Sequence, residues 1–359
     1  MCAKVARVSA EGSSESELKH LLEAGRILRE GGTVVFPTET VYGIGANALS
    51  PDAARKIYLA KGRPSDNPLI VHISRVDMLY DIAEDIGSDA LMLMDAFWPG
   101  PLTMIFRKKE IVPLATTGGL DTVAVRMPGH KAALKIIEAA GVPIAAPSAN
   151  ISGRPSITSS RYVLDEFADS VDMIIIGEDS EIGIESTVVD MTEEVPVVLR
   201  PGKISQNDIF DVISQGDSEK REFLDKKLYE ITGNHCERPA RSPGMKYRHY
   251  SPKARVIVEE QGRSALEIMK EYLELLSEDG KPVYEDGDIM VFCIEENAHL
   301  YGEHAYILGE DSSEIARNLF TSLRMMDDMG VKLIISEFFS GDELACAVMN
   351  RLVKASSNI

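Results

Sequence analysis

A capped helix that runs straight into a short strand constrains this chain more than any other stretch. Ser50 can accept a backbone N–H at a helix N-terminus, Pro51 suits the first helical position, and Gly62 stands just beyond the end. After Pro68, residues 69–73 read as a strand with Leu69, Val71 and Ile73 on one face and Ile70 and His72 on the other. The unit recurs. Helix 14–29, stopped by Gly31-Gly32, precedes strand 33–36, and helix 130–140, closed by Gly141, precedes strand 143–146. Helices alternating with short strands imply an α/β fold.

Further strands are expected at 102–106, after the turn Trp98-Pro99-Gly100-Pro101, and at 122–126, with a strand pair at 184–190 and 195–199. Helix 205–214 then closes a first domain, 1–214. Periodicity fades over 215–252, which reads as a linker. Residues 253–359 alternate again: strand 256–259, helix 264–276, strands 289–294 and 305–308, helix 312–329, strand 332–335, helix 342–354. That pattern is a small Rossmann-like α/β domain without the glycine fingerprint of a dinucleotide site.

With 359 residues and 44% hydrophobic content, two globular domains are expected. No run approaches the ~20 apolar residues of a membrane span, and the N-terminus lacks a signal-peptide core, so a soluble cytoplasmic protein is expected. Cys2, Cys236, Cys293 and Cys346 are scattered, which argues against a zinc site or a disulfide framework. Formal charge is −19, and residues 255–359, with 21 acids and 9 bases, supply −12 of it. Nucleic-acid affinity depends on Lys and Arg meeting phosphates, so no stable nucleic-acid binding is expected. Against this background residues 235–253 carry five bases and one acid, a local charge of +4.

Lys61 and Arg63 flank Gly62, and Pro64 biases Arg63 toward extended backbone. If Lys61 is extended too, both cations project to one side, which suits a polyphosphate, and the strand after Pro68 then brings His72 to the same cleft; the alternative is a solvated turn followed by a core strand. Thr38 and Thr40 point the same way if strand 33–36 continues through Pro37. Arg126, on a face with Thr122 and Ala124, either snorkels to solvent or sits over an anion. Loop 147–156 leaves a strand and enters a helix near Thr158, where backbone N–H groups and hydroxyls collect anions. Ser186 and Arg200 lie near strand ends, and the chain has no P-loop, His-Glu-x-x-His or Gly-x-Ser-x-Gly. Cations, hydroxyls and one His suit stabilisation of anions better than acid–base chemistry. Glu39 and Glu185 are open to a reading as bases, but a structural role is preferred for both, and His130 reads as a helix-start residue.

The motifs Pro-Thr-Glu-Thr-Val-Tyr-Gly (37–43), Lys-Gly-Arg-Pro with Asn-Pro-Leu-Ile-Val-His (61–72), Ala-Val-Arg-Met-Pro (124–128), Ala-Pro-Ser-Ala-Asn-Ile-Ser-Gly (146–153), Glu-Ser-Thr-Val-Val-Asp (185–190) and Arg-Pro-Gly (200–202) occur in order. Together they resemble the YrdC-like family. Ser-Pro-Gly-Met-Lys-Tyr-Arg-His-Tyr (242–250) and the extra α/β domain narrow the resemblance to its long, two-domain branch. It spans essentially the whole chain, and implies a twisted mixed-sheet YrdC-like domain, a linker bearing a basic strap, and the Rossmann-like domain.

The resemblance implies that L-threonine, bicarbonate and ATP give threonylcarbamoyl-AMP and pyrophosphate. This is the first step of tRNA threonylcarbamoyladenosine formation, upstream of a tRNA threonylcarbamoyl transferase complex. By resemblance, Thr40, His72, Arg126, Ala146 and Ser186 hold threonine. Lys61, Arg63, Asn67, Thr122, Ser148, Asn150, Ser156 and Arg200 hold the nucleotide, with Lys61 and Arg63 as the catalytic candidates. Tyr247 touches the nucleotide, and Lys246, His249 and Tyr250 belong to a mobile lid. Mg²⁺ arrives on the ATP phosphates, and no protein-held metal is implied. Two other readings stand beside this one: a carbamoyltransferase of the same family, whose acylphosphatase and Cys-rich segments are missing here, and an RNA-binding module.

Overall fold

Ser50 accepts the Ala53 amide at 3.2 Å, Pro51 opens the helix, and Gly62 ends it at φ 60°, in the left-handed region open to glycine at little cost. A computed structural model describes residues 2–9, 11–233, 250–260, 262–277, 279–285 and 287–356. They fall into two units, the second taking in Gly153–Ser156, Ile182–Ile184 and the described residues from 250 on. No helix among the described residues is long and apolar enough to cross a membrane.

The first unit begins with β1 (Lys4–Arg7), α1 (Glu15–Arg29), β2 (Val34–Phe36), β3 (Gly43–Asn47), α2 (Pro51–Lys61) and β4 (Ile70–His72). There follow α3 (Asp77–Ile82), β5 (Ala83–Glu84), α4 (Ser88–Phe97), β6 (Leu102–Lys108), α5 (Leu114–Thr117), β7 (Thr122–Arg126), α6 (Lys131–Ala140) and β8 (Ile144–Ala145). The remainder is α7 (Val163–Phe167), β9 (Met173–Ile176), β10 (Thr187–Asp190), β11 (Val197–Arg200), α8 (Gln206–Ser214) and α9 (Ser218–Gly233). The strands form one mixed sheet in the order β1-β9-β2-β3-β8-β4-β7-β6-β10-β11, with β5 beside β6. Helix α1 packs on α6, and Gly25 permits their approach, since a Cβ there would stand 2.5 Å from Ala139 Cβ.

The second unit holds β12 (Arg255–Val258), α10 (Ala265–Leu273), β13 (Ile289–Ile294), β14 (Ala305–Gly309), α11 (Ser312–Met329), β15 (Leu333–Ser336) and α12 (Glu343–Ser356). Its sheet, in the order β12-β15-β13-β14, is parallel throughout. Ile268 and Met269 of α10 cover Ile289, Val291, Leu333 and Ile335.

Three expectations change. The linker proposed for 215–252 contains α9, which sets buried Leu224 and half-buried Leu228 and Ile231 against the core, while Lys227 pairs with Glu230 at 3.3 Å and Arg221 with Asp225 at 3.2 Å. Leu224, Leu228 and Ile231 stand at i, i+4 and i+7, a narrow apolar stripe among mostly charged neighbours. Strand β2 stops at Phe36 instead of running through Pro37, which has no N–H to give a ladder. The helix expected from Thr158 begins as a 3₁₀ turn at Ser160–Tyr162 before α7.

Candidate active site

Neighbouring strands place the expected residues in a row. His72 of β4 lies opposite Arg126 of β7, Arg126 opposite Thr103 of β6, Thr103 opposite Val188 of β10, and Val188 opposite Arg200 of β11. Residues opposite one another on a ladder share a face, so His72, Arg126, Thr103 and Arg200 emerge together. On the other side of β4, Ile144 of β8 pairs with His72, and the Ala146 amide donates to the Ile70 carbonyl at 2.8 Å. The opposite face, with Val71, Val123, Val125 and Met104, is buried in the main core. On the site's own face the apolar residues form only a small cluster of Ile70, Ile105, Ala124 and Val188.

Arg126 is 4% exposed and is held from three directions. Its Nε donates to the Gly100 carbonyl at 3.1 Å and its Nη1 to Thr40 Oγ1 at 2.8 Å, while Nη2 lies 2.6 Å from Glu39 Oε1. The hydroxyls beyond it have a fixed direction. Thr38 donates to the Val41 carbonyl at 2.6 Å, so the Thr40 hydroxyl, 3.0 Å away, donates to Thr38 and keeps its own lone pair for Arg126. Thr38 and Thr40 therefore do meet, through a turn and not through an extended strand. Burial would raise the Glu39 carboxyl, but Arg126 and the Gly129 N–H outweigh it and hold the group below its ordinary value. It stays a carboxylate and a poor base.

His72 is buried, with Nδ1 3.3 Å from the Ile70 carbonyl. Desolvation, reinforced by the charge of Arg126, pushes its pKa from 6.5 down to about 3. The imidazole is neutral at working pH and can serve as a donor, not as a cation. The unfolded chain takes up a proton at His72 below pH ~6.5 that the folded one refuses, so this residue's share of stability is lost as pH falls toward 3. By pH 5 the loss is about 2 kcal/mol. His72→Asn is expected to shrink the stability difference between pH 7 and pH 5 by that amount, measured by urea unfolding. An unchanged difference contradicts a buried neutral imidazole.

Next to Arg126, Thr103 Oγ1 lies 2.8 Å from Ser186 Oγ. Arg200 donates from Nε to the Ser186 carbonyl at 3.1 Å and from Nη2 to its hydroxyl at 3.2 Å. Arg200 is thus joined through Ser186 to Thr103, the cross-strand neighbour of Arg126. Thr103 escaped the sequence reading, although it is the one polar residue within the run Leu102–Phe106.

Lys61 corrects the geometry expected of it. It is the last residue of α2, so it is not extended, and it does not share a strand with Arg63. Its Nζ donates to the carbonyls of Ser148 and Asn150, each at 2.5 Å, and lies 3.4 Å from Asn150 Oδ1. Ser148 Oγ donates to that same Oδ1 at 2.6 Å, and Asn150 Nδ2 to the Ile151 carbonyl at 2.9 Å. The loop that leaves β8 at Ala146 is in this way tied to the end of α2. Arg63 follows in the loop and donates to the carbonyls of Asn67 at 3.3 Å and Pro68 at 3.1 Å. Asn67 and Thr122 are buried, Thr122 four residues before Arg126 on β7 and on the same face.

Ser156 falls in the second unit, where its carbonyl accepts from Arg324 Nε at 3.3 Å. Lys246, Tyr247 and His249 lie outside the described residues. Tyr250 is buried and stacks on Phe320 with ring centroids 5.2 Å apart, which is core packing and not the exposed face of a lid. His130 takes the position before α6 without capping it, and burial lowers its pKa.

Residues 26–202 match the family described as "Telomere recombination", which groups Sua5, YciO and YrdC. Residues 204–357 match "Threonylcarbamoyl-AMP synthase, C-terminal domain". The threonylcarbamoyl-AMP synthase of Pyrococcus abyssi is 46% identical over 341 residues, covering 95% of this chain and 94% of its own. The chain belongs to the threonylcarbamoyl-AMP synthase family. The family's Bacillus subtilis member is 40% identical, covering 94% of this chain and 92% of its own. Among solved structures, P. abyssi Sua5, crystallised with L-threonine, superposes with a TM-score of 0.79 at 43% identity, covering 98% of this chain and 97% of that one. Membership makes the chain a nucleotidyltransferase-type enzyme, and the mixed-sheet domain followed by a second α/β domain is the family's architecture.

Proposed function

We propose that this chain makes threonylcarbamoyl-AMP and pyrophosphate from L-threonine, bicarbonate and ATP in the cytoplasm, and passes the product to a tRNA threonylcarbamoyl transferase. The observation that carries this reading is the row of His72, Arg126, Thr103 and Arg200 on one sheet face, with Ser186 bridging Thr103 and Arg200. Arg126 is already fixed by Thr40, Gly100 and Glu39, so it can receive a carboxylate without first being ordered. Thr40, Ser186 and neutral His72 supply polar contacts beside it, and Ala146 supplies backbone.

The unprotonated threonine amine attacks the bicarbonate carbon, the C–N bond forming as oxygen leaves as water with an amine proton, and an oxygen of the resulting carbamate must attack the α-phosphorus in line with departing pyrophosphate. Both reactants are anionic, so the residues' work is neutralisation and alignment rather than proton transfer. Lys61, Arg63 and Arg200 serve the phosphates, with Asn67, Thr122, Ser148 and Asn150 around the nucleotide. Mg²⁺ fits this donor set only as an ion already bound to ATP, because the side chains assigned to the phosphates are cations and would repel a bare metal. It supplies charge neutralisation on the phosphate oxygens when bound.

Pyrophosphate release from ATP, measured with threonine and bicarbonate each omitted in turn, tests the reading. Release that needs both is expected. Dependence on carbamoyl phosphate, or RNA retention on a filter without any turnover, would overturn it.

A further inference from the structure

Arg126 is matched by a carboxylate that the reaction itself does not need. Glu39 Oε1 sits 2.6 Å from Arg126 Nη2, with the two side chains 11% and 5% exposed, and the Gly129 N–H pins the same oxygen at 2.8 Å. The contact is one of charge more than of hydrogen bonding. Arg126 Nη2 and Glu39 Oε2 are both buried, and neither has an aligned hydrogen-bond partner among the described residues. The two charges also act in opposite senses on His72, so their fields oppose each other where the amino acid is proposed to bind.

We infer that Glu39 balances the charge of Arg126, so that this part of the site accepts a net-neutral amino acid and refuses a plain anion of the same shape. The inference rests on the reading above that Arg126 receives threonine. A buried guanidinium without a counter-charge attracts any carboxylate or phosphate, and in surroundings of low polarisability that attraction is strong. ATP, bicarbonate and pyrophosphate are all anionic and all present during turnover. With Glu39 behind it, Arg126 keeps its N–H geometry for a carboxylate but offers little net charge, and a zwitterion brings its own ammonium to restore the balance. Glu39 acts through Arg126, so it is a positioning residue that sets specificity.

The test is calorimetric binding to the full chain of two ligands that differ in one group: L-threonine, and 2,3-dihydroxybutanoate of the same configuration, in which a hydroxyl replaces the ammonium. The unaltered chain should prefer threonine by at least about thirtyfold. Glu39→Gln, which keeps an oxygen for Gly129 and Arg126, should cut that preference to about fivefold or less, chiefly by tighter binding of the anion. Glu39→Asp, which keeps the charge, should retain it. A Glu39→Gln protein that binds threonine with the preference unchanged overturns the inference, as does an unaltered chain that binds both ligands equally. Failure of the unaltered chain to bind threonine at all would instead overturn the reading on which the inference stands.

Discussion

Replacing Arg126 with methionine is expected to lower threonine-dependent pyrophosphate release by about a thousandfold, the loss of two charge-assisted hydrogen bonds to the substrate carboxylate. It should also destabilise the fold by about 3–5 kcal/mol, because Glu39 is left as a buried carboxylate with no counter-charge. The two effects separate in the double variant Arg126→Met/Glu39→Gln. Removing the stranded charge should restore much of the stability read by urea unfolding and none of the turnover. Recovery of activity in the double variant would show that Arg126 serves the fold alone.

Lys61→Met carries the second large effect. The side chain is 1% exposed, and its ammonium holds the carbonyls of Ser148 and Asn150. Methionine fills similar space without a donor, so two carbonyls lose a partner, at about 1–3 kcal/mol each where they stay dry. The proposed phosphate site loses both a charge and the shape of its loop. Pyrophosphate release limited by ATP should fall about a thousandfold, while threonine affinity, which depends on Arg126 and its neighbours, should move less than about threefold. Arginine should not rescue it, since a planar fork cannot replace a point charge enclosed by two carbonyls. Equal losses toward both substrates would argue that Lys61 supports the whole domain and not the nucleotide.

Much of the fold was legible because its signals are local. Ser50, Pro51 and Gly62 mark the ends of α2, and the alternation in 69–73 assigns His72 to the face it occupies. The Rossmann-like run of strands and helices after residue 254 follows from the same kind of pattern. What the sequence withheld depends on pairing between distant strands. Nothing local says that β6 lies between β7 and β10, so Thr103 could not be placed beside Arg126 and against Ser186. Glu39 looked like one more strand carboxylate beside a threonine, because its partner is 87 residues away. At Lys61 two local signals conflict: Gly62 ends the helix just after it, whereas Pro64 favours extended backbone two residues on, and the helix prevails.

The site's chemistry follows from the pairing of those distant strands. A guanidinium held from three sides, a neutral imidazole and a lysine that orders a loop make a pre-ordered receptor for carboxylate and phosphate groups, and none of these three side chains is a strong base. The reaction proposed for it needs charge compensation more than proton abstraction.

Incubation with ¹³C-bicarbonate, threonine and ATP, followed by mass spectrometry of the nucleotide product, tests this account most directly. It predicts threonylcarbamoyl-AMP carrying a single ¹³C, formed in step with pyrophosphate and all but lost in Arg126→Met. Pyrophosphate released while the label stays out of the nucleotide, or labelled product made equally well without Arg126, would contradict it.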